Sequence, residues 1–232
     1  MKDKLKTACD YLRSKGVAYG DIRYVRTQTE TIGVTNEAVD TLTSDLDQGF
    51  GIRVIVEGSW GFASSAICTV SEMRKVANRA IAIAKASGLT KTADVVLAPV
   101  DPAVGTYQTP VVIDPFKVSI SRKLSLLTGI NRVLRKDKKI RVAECGLRCF
   151  GTHKIFVSTE GAVVEQHLTE VGAGYTATAV DGNEVQKRSY PNSHGGDYRT
   201  GGYELIEGMR LKDHAERVRE EAVALLTAPA CP

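Results

Sequence analysis

The stretch Gly49-Phe50-Gly51-Ile52-Arg53-Val54-Ile55-Val56-Glu57-Gly58-Ser59-Trp60-Gly61-Phe62-Ala63 reads as two strands folded about a turn. Phe50 to Val56 is rich in β-branched and aromatic residues, Glu57-Gly58-Ser59 supplies the turn, and Trp60 to Ala63 runs back as the partner. Glycine within a strand marks a bulge or a close backbone approach. The Gly49-x-Gly51 pair lacks a third glycine and enters a strand rather than a helix, so it is not a phosphate-binding turn. Trp60 and Phe62 alternate around Gly61, either as core or as an exposed platform for an extended peptide. The core reading is preferred.

Before this hairpin, a helix is expected from about Lys4 to Lys15, with Leu5, Ala8, Cys9 and Leu12 on one face and Gly16 as its stop. Short strands are expected at Ile22–Val25, Thr31–Val34 and Val39–Leu42, with Asp45 and Asp47 in a loop. After the hairpin a helix starts at an N-capping Ser71, with Glu72 in its first turn. It presents Met73, Val76, Ala77, Ala80, Ile81 and Ala84 on one face and stops at Gly88. Residues 90–114, holding Pro99, Pro102 and Pro110, read as a linker.

The pattern then repeats. Asp114-Pro115 opens a helix as N-cap and N1, with the stripe Phe116, Ile120, Leu124, Leu127, Ile130 and Leu134. Strands are expected at Ile140–Cys149, Lys154–Ser158, Val163–Leu168, Tyr175–Val180 and Glu184–Ser189, the last two joined by the turn Asp181-Gly182-Asn183. A Gly-rich loop spans Pro191–Gly202, and a final helix begins near Asp213 with Glu216 in a capping-box-like relation. Val34-Thr35-Asn36-Glu37 aligns with Val157-Ser158-Thr159-Glu160 at an offset of 123 residues, and Gly49 and Gly51 align with Gly172 and Gly174 at the same offset. The fold class expected is α+β, an internal duplication of helix–antiparallel sheet–helix units: residues 1–89 as the first, 115–232 as the second.

Composition narrows the function classes. The 232 residues carry 31 Lys and Arg against 27 Asp and Glu, a net charge of +4, too mild to require a nucleic-acid partner. The basic run Arg135–Arg141 at a helix C-terminus reads as a solvated face. No stretch approaches the roughly 18 consecutive apolar residues of a membrane helix, and the charged start Met1-Lys2-Asp3-Lys4 has no signal-peptide core behind it. A cytoplasmic location is expected. Five cysteines are few and odd in number. Cys145 and Cys149 read as small buried hydrophobes rather than a zinc pair.

Catalytic motifs are sparse. His153, His167, His194 and His214 are not clustered in sequence, and none precedes Glu in an H-E-x-x-H pattern. No G-x-S-x-G or Walker A sequence is present. Glu220 and Glu221 lie on a helix surface, and His214 is expected to be solvated. His194, in Ser193-His194-Gly195-Gly196, is the best lone candidate because Gly-rich loops approach ligands. The candidate substrate-contacting residues are Arg53, Trp60, Phe62 and His194.

Taken together, Gly49–Val54 followed by Gly58–Ala63, the Ser158-Thr159-Glu160-Gly161 turn, the loop from Tyr190 to Gly202-Tyr203-Glu204, and the helix Glu216–Leu226 with Ala228 and Pro232 resemble the TldD/PmbA metallopeptidase family, once named modulators of DNA gyrase. The resemblance covers about Gly20 to Pro232. It implies a proteolytic context, dimers often built from two related subunits, and an active site enclosed in a cavity. It also implies a zinc site carried by an H-E-x-x-x-H helix and a distant cysteine in a C-terminal half. This sequence contains no H-E-x-x-x-H, so no catalytic residue and no metal ligand is carried over, and zinc is expected only in that other half. Fragment, truncated gene product and standalone half remain open. The expected role is the non-catalytic N-terminal half, meeting a peptide substrate and a related subunit or a second copy. The alternative is a standalone peptide- or protein-binding module; a nucleic-acid binder, resting on +4 and the basic run, is the weakest reading.

Overall fold

The computed structural model describes residues 1–229; the expected contribution of Pro232 lies outside the described residues. The elements are α1 (Lys2–Ser14), β1 (Tyr19–Thr35), β2 (Ala38–Val56), β3 (Ser59–Ser65), α2 (Val70–Gly88), β4 (Val104–Gln108), α3 (Ile120–Leu134), β5 (Ile140–Ser158), β6 (Val163–Asp181), β7 (Glu184–Tyr190), β8 (Asp197–Thr200), α4 (Glu204–Gly208) and α5 (Ala215–Leu225). The fold is α+β, and β1–β2–β3 and β5–β6–β7 repeat one order of two long strands and one short. Strands are hydrogen-bonded in the order β3-β2-β1-β5-β6-β4, with β7 and β8 also on β6. The β4–β6 pair is parallel, from Val104 opposite Val163 to Gln108 opposite His167. No described helix is long and apolar enough to cross a membrane.

The chain forms two compact units. One holds residues 1–27, 46–108 and 152–167; the other holds 28–45, 109–151 and 168–232. The first unit's core joins Leu5, Ala8, Cys9 and Leu12 of α1 with Ile52 and Val54 of β2, Ala77 and Ala80 of α2, and Ile155 and Val157 of β5. The second joins Leu127, Ile130 and Leu134 of α3 with Leu147 of β5, Tyr175 of β6, Val218 of α5, and Ile32 and Val34 of β1. Burial of such side chains stabilises by about 1.5–3 kcal/mol each.

The hairpin read first from sequence is present, with Val56 opposite Ser59 and Phe50 opposite Ser65. Its turn residues Glu57 (φ 51°) and Gly58 (φ 71°) both adopt the left-handed region, as a two-residue hairpin turn requires. Gly61 faces α2: a Cβ there would stand 2.0 Å from the Ala80 carbonyl oxygen and 2.6 Å from the Ala84 nitrogen. Only glycine lets helix and strand approach so closely.

Several local expectations are corrected. The short strands expected in 22–42 are parts of β1 and β2, joined at Asn36 (φ 50°) and Glu37 (φ 68°). Asp45 and Asp47 therefore lie on a strand. The separate strands expected in 140–158 and 163–180 are likewise single strands, β5 and β6. Thr69, not Ser71, caps α2, its hydroxyl accepting from the Glu72 N–H. Asp114 caps only a 3-10 turn, Pro115–Lys117; α3 begins after Ser119, whose hydroxyl accepts from the Arg122 N–H. The stretch 90–114 contains β4, and the Gly-rich loop contains β8. Asp213 pairs with Arg210 and Glu216 with Arg219, so no capping box forms, and a 3-10 turn Leu211–His214 precedes α5.

Candidate functional site

In the first unit, β2 and β3 place Arg53 opposite Phe62 in register. The Phe62 ring lies over Gly51, where a Cβ would meet it at 2.8 Å, so glycine at 51 lets the ring fold across the neighbouring strand. Phe62 is 58% exposed, which corrects the preferred core reading for this residue. Trp60, half-buried, lies two residues before Phe62 on the same face of β3, and its ring packs edge-on against Tyr19 with centroids 6.0 Å apart. The Arg53 guanidinium sits 4.6 Å from the Trp60 ring centroid, a cation–π contact.

Arg53 also donates from Nε to the buried Asp21 carboxylate at 2.9 Å, with a second nitrogen at 2.7 Å from the same oxygen. Arg23 approaches the other Asp21 oxygen at 3.3 Å. One buried acid thus orients two arginines. Burial, reinforced by the Asp21 charge, pushes the Tyr19 hydroxyl up to about 12. Around these groups runs an open cleft of about 690 Å³, bordered by Asp21, Arg23, Phe50, Gly51, Arg53 and Phe62. An exposed aromatic face, a held guanidinium and strand backbone suit an extended peptide.

His194 lies in the second unit, exposed, at a different cleft of about 490 Å³ with Glu144, Lys187, Arg188, Tyr190 and Arg217. Its loop folds back on β6, because Gly174 leaves room for the Gly195 carbonyl, which a Cβ would meet at 2.2 Å. The structure therefore brings Arg53, Trp60 and Phe62 together and puts His194 elsewhere in the chain. His214, expected to be solvated, stacks on Tyr190 with centroids 4.2 Å apart.

One cluster was not foreseen. His153 of β5 and His167 of β6 stack at 4.2 Å and 13° between planes. Both Nε2 atoms face one oxygen of Glu165, at 2.9 Å and 3.5 Å. Lys2 of α1 pairs with the other Glu165 oxygen, and Tyr24 stands edge-on to His153 at 5.8 Å. Hydrogen bonds from Lys2 and then His153 pull the Glu165 carboxyl down to about 2. The only sequence trace was Glu165-x-His167, two residues apart on one strand face. The third member, fourteen residues before His167, joins it only through strand pairing. His153 and His167 are thus clustered in space though not in sequence.

Fold and cleft define an α+β chain of duplicated hairpins with an open, aromatic-and-arginine-lined cleft on the first. The family model for the PmbA/TldA metallopeptidase domain 1 matches residues 20–84, and that for the PmbA/TldA metallopeptidase central domain matches residues 113–226. This chain belongs to the TldD/PmbA metallopeptidase family. A metalloprotease of Methanocaldococcus jannaschii is 25% identical over 92% of this chain and 46% of its own length. A metalloprotease of Synechocystis sp. is 30% identical over 71% of this chain and 35% of its own. The chain thus spans less than half the length of these relatives. Among solved structures, a Thermotoga maritima protein named as a modulator of a DNA gyrase superposes with a TM-score of 0.77 at 17% identity, over 99% of this chain and 49% of its own. TldE from Thermococcus kodakarensis gives 0.66 at 16%, over 96% and 47%. At these identities the solved structures bear on the fold. The H-E-x-x-x-H that the resemblance implies is absent from this sequence, and the His153–Glu165–His167 group, split over two strands, does not have that form.

Proposed function

We propose that this chain acts as the non-catalytic N-terminal half of a TldD/PmbA-type zinc metallopeptidase, supplying a wall of the peptide cavity and an assembly surface. The observation that carries the reading is the cleft bordered by Arg53 and Phe62, which lies within the stretch matched by the family's first domain. The Phe62 ring gives an apolar contact for a substrate side chain, and Arg53, held by Asp21, presents a donor to a peptide carbonyl or carboxylate. The chain's own residues bind and orient; the bond-breaking chemistry belongs to a polypeptide carrying H-E-x-x-x-H. Its partner is a related subunit or a second copy, and its place is the cytoplasm.

Peptide cleavage assayed with added zinc tests this. The chain alone should be inactive, and a polypeptide carrying the H-E-x-x-x-H half should restore cleavage. In that assembly Arg53→Ala and Phe62→Ala should each raise KM on the order of tenfold, equivalent to about 1.4 kcal/mol. Cleavage by the chain alone, or unchanged KM in both variants, would overturn the reading.

A further inference from the structure

We propose that His153, Glu165 and His167 form a binding site for a divalent transition cation of the zinc type, with Nε2, Oε1 and Nε2 as the ligand atoms. This reading is independent of the peptidase assignment.

The donor set comes first. Two imidazoles and one carboxylate are a combination that zinc accepts, with a fourth position left to water. Magnesium and calcium prefer all-oxygen surroundings.

The three ligand atoms are near enough for one ion once a ring turns: the imidazoles stand 13° from parallel at 4.2 Å, and a metal bonds in the plane of an imidazole, so binding rotates one ring out of the stack. Ligands about 2.0–2.2 Å from a tetrahedral zinc stand about 3.3–3.6 Å from one another. The Glu165 oxygen lies 2.9 Å and 3.5 Å from the two imidazole nitrogens, and all three ligand atoms lie within 4.8 Å of one another. The shorter separation is a His153–Glu165 hydrogen bond, which an ion would replace, and the longer one exceeds a good N–H···O bond, so the His167 nitrogen has no bond to Glu165 to give up.

Supporting contacts are also present. Lys2 engages Oε2 of Glu165 and leaves Oε1 turned to the histidines. Tyr24 packs edge-on to His153 and donates its hydroxyl proton to Gln48 at 3.0 Å, fixing the ring that borders His153. Such outer contacts orient metal ligands. The side chains are 25% (His153), 17% (Glu165) and 45% (His167) exposed, which leaves a path for the ion and room for a water ligand.

The test uses the full chain without an affinity tag, titrated calorimetrically with Zn²⁺ and spectroscopically with Co²⁺, whose visible absorption reports low-coordinate geometry. One equivalent should bind, and Zn²⁺ should raise the Tm, since a ligand that binds the folded state stabilises it. His153→Ala and His167→Gln should each weaken Zn²⁺ binding by more than the roughly 10–100-fold lost with an outer partner, with unchanged circular dichroism; His194→Ala should bind like the parent. His167 is surface-lying, so His167→Gln keeps the test open if His153→Ala fails to fold. Absence of Zn²⁺ binding, binding undiminished in His167→Gln, or an equal response to Mg²⁺ would overturn the proposal.

Discussion

Lys123 shows how a single side chain can escape a sequence reading. It lies on α3, fully buried, paired with Glu30 of β1 and donating to the Pro115 carbonyl at 2.6 Å. An ammonium so buried needs its partner, since an isolated charge there is costly. Lys123→Met should therefore destabilise the chain by about 3–5 kcal/mol, read from urea unfolding, whereas adding Glu30→Gln should recover much of the loss. Full additivity of the two substitutions would show that the pair is not coupled. Asn131, one helical face further along, follows the same rule. Its amide donates to the Val34 and Ala143 carbonyls at 3.1 Å each, and its oxygen accepts from the Glu37 N–H at 2.9 Å. Asn131→Leu removes all three bonds, and although the Ala143 carbonyl keeps the Asn36 N–H at 3.0 Å, the loss should cost about 1–3 kcal/mol in the same measurement. The helical period placed Leu127, Ile130 and Leu134 correctly on the buried face, but the same period cannot say that Lys123 and Asn131 find partners on strands.

At the scale of elements, β3 carries opposite demands on its two faces. Gly61 touches the backbone of α2, while Phe62 stands in the open cleft. Gly61→Val must push α2 off the sheet and should lower stability by at least about 1–3 kcal/mol. Phe62→Ala should change it by no more than about 0.5 kcal/mol. Equal effects in thermal unfolding would mean that the two faces are not distinguished as the structure has them. The hairpin turns, Gly58 and Gly182 included, were legible because a positive φ leaves a mark in residue type. The full length of β1 and β2 was not. From Ala38 to Gln48, β2 is almost wholly exposed, so no buried face imposes alternation, and hydrogen bonding alone carries the strand. The same exposure explains why Asp45 and Asp47 read as loop residues.

For the whole molecule, the two units are not successive segments. Ile32 and Val34 at the far end of β1 enter the core with α3 and α5, and Ile155 and Val157, their counterparts at the offset of 123, enter the core with α1 and α2. The repeated hairpins therefore serve both cores reciprocally, an arrangement that depends on which strand ends meet which helices. Both cores also hold thiols. Burial raises Cys9 to about 11, Cys145 to about 12 and Cys149 to about 11. In the unfolded chain these thiols lose protons near 9, so above that pH the unfolded state binds fewer protons and stability falls as pH rises towards 11 and beyond. The urea midpoint should be lower at pH 10 than at pH 8, and thiol reagents at neutral pH should label the buried three only on unfolding. An unchanged midpoint with rapid labelling of all three would contradict the burial.

The sequence by itself determined the α+β class, the turn-linked strand pairs, the buried faces of α1 and α2 and, from Leu127 on, of α3 (Ile120, expected on that stripe, is exposed), the buried cysteines and the resemblance that the family match bears out. Each of these rests on short-range rules: a helical or strand period, a turn residue with positive φ, a small side chain where backbones meet. Only the tertiary structure decided that Phe62 faces the cleft, that Asp21 holds Arg53 and Arg23, that Lys123 meets Glu30, and that His153 joins Glu165 and His167. Those groups are brought together by strand register and by helices packing across the sheet, and the physical reason is that distant partners leave no periodic trace in the chain that carries them.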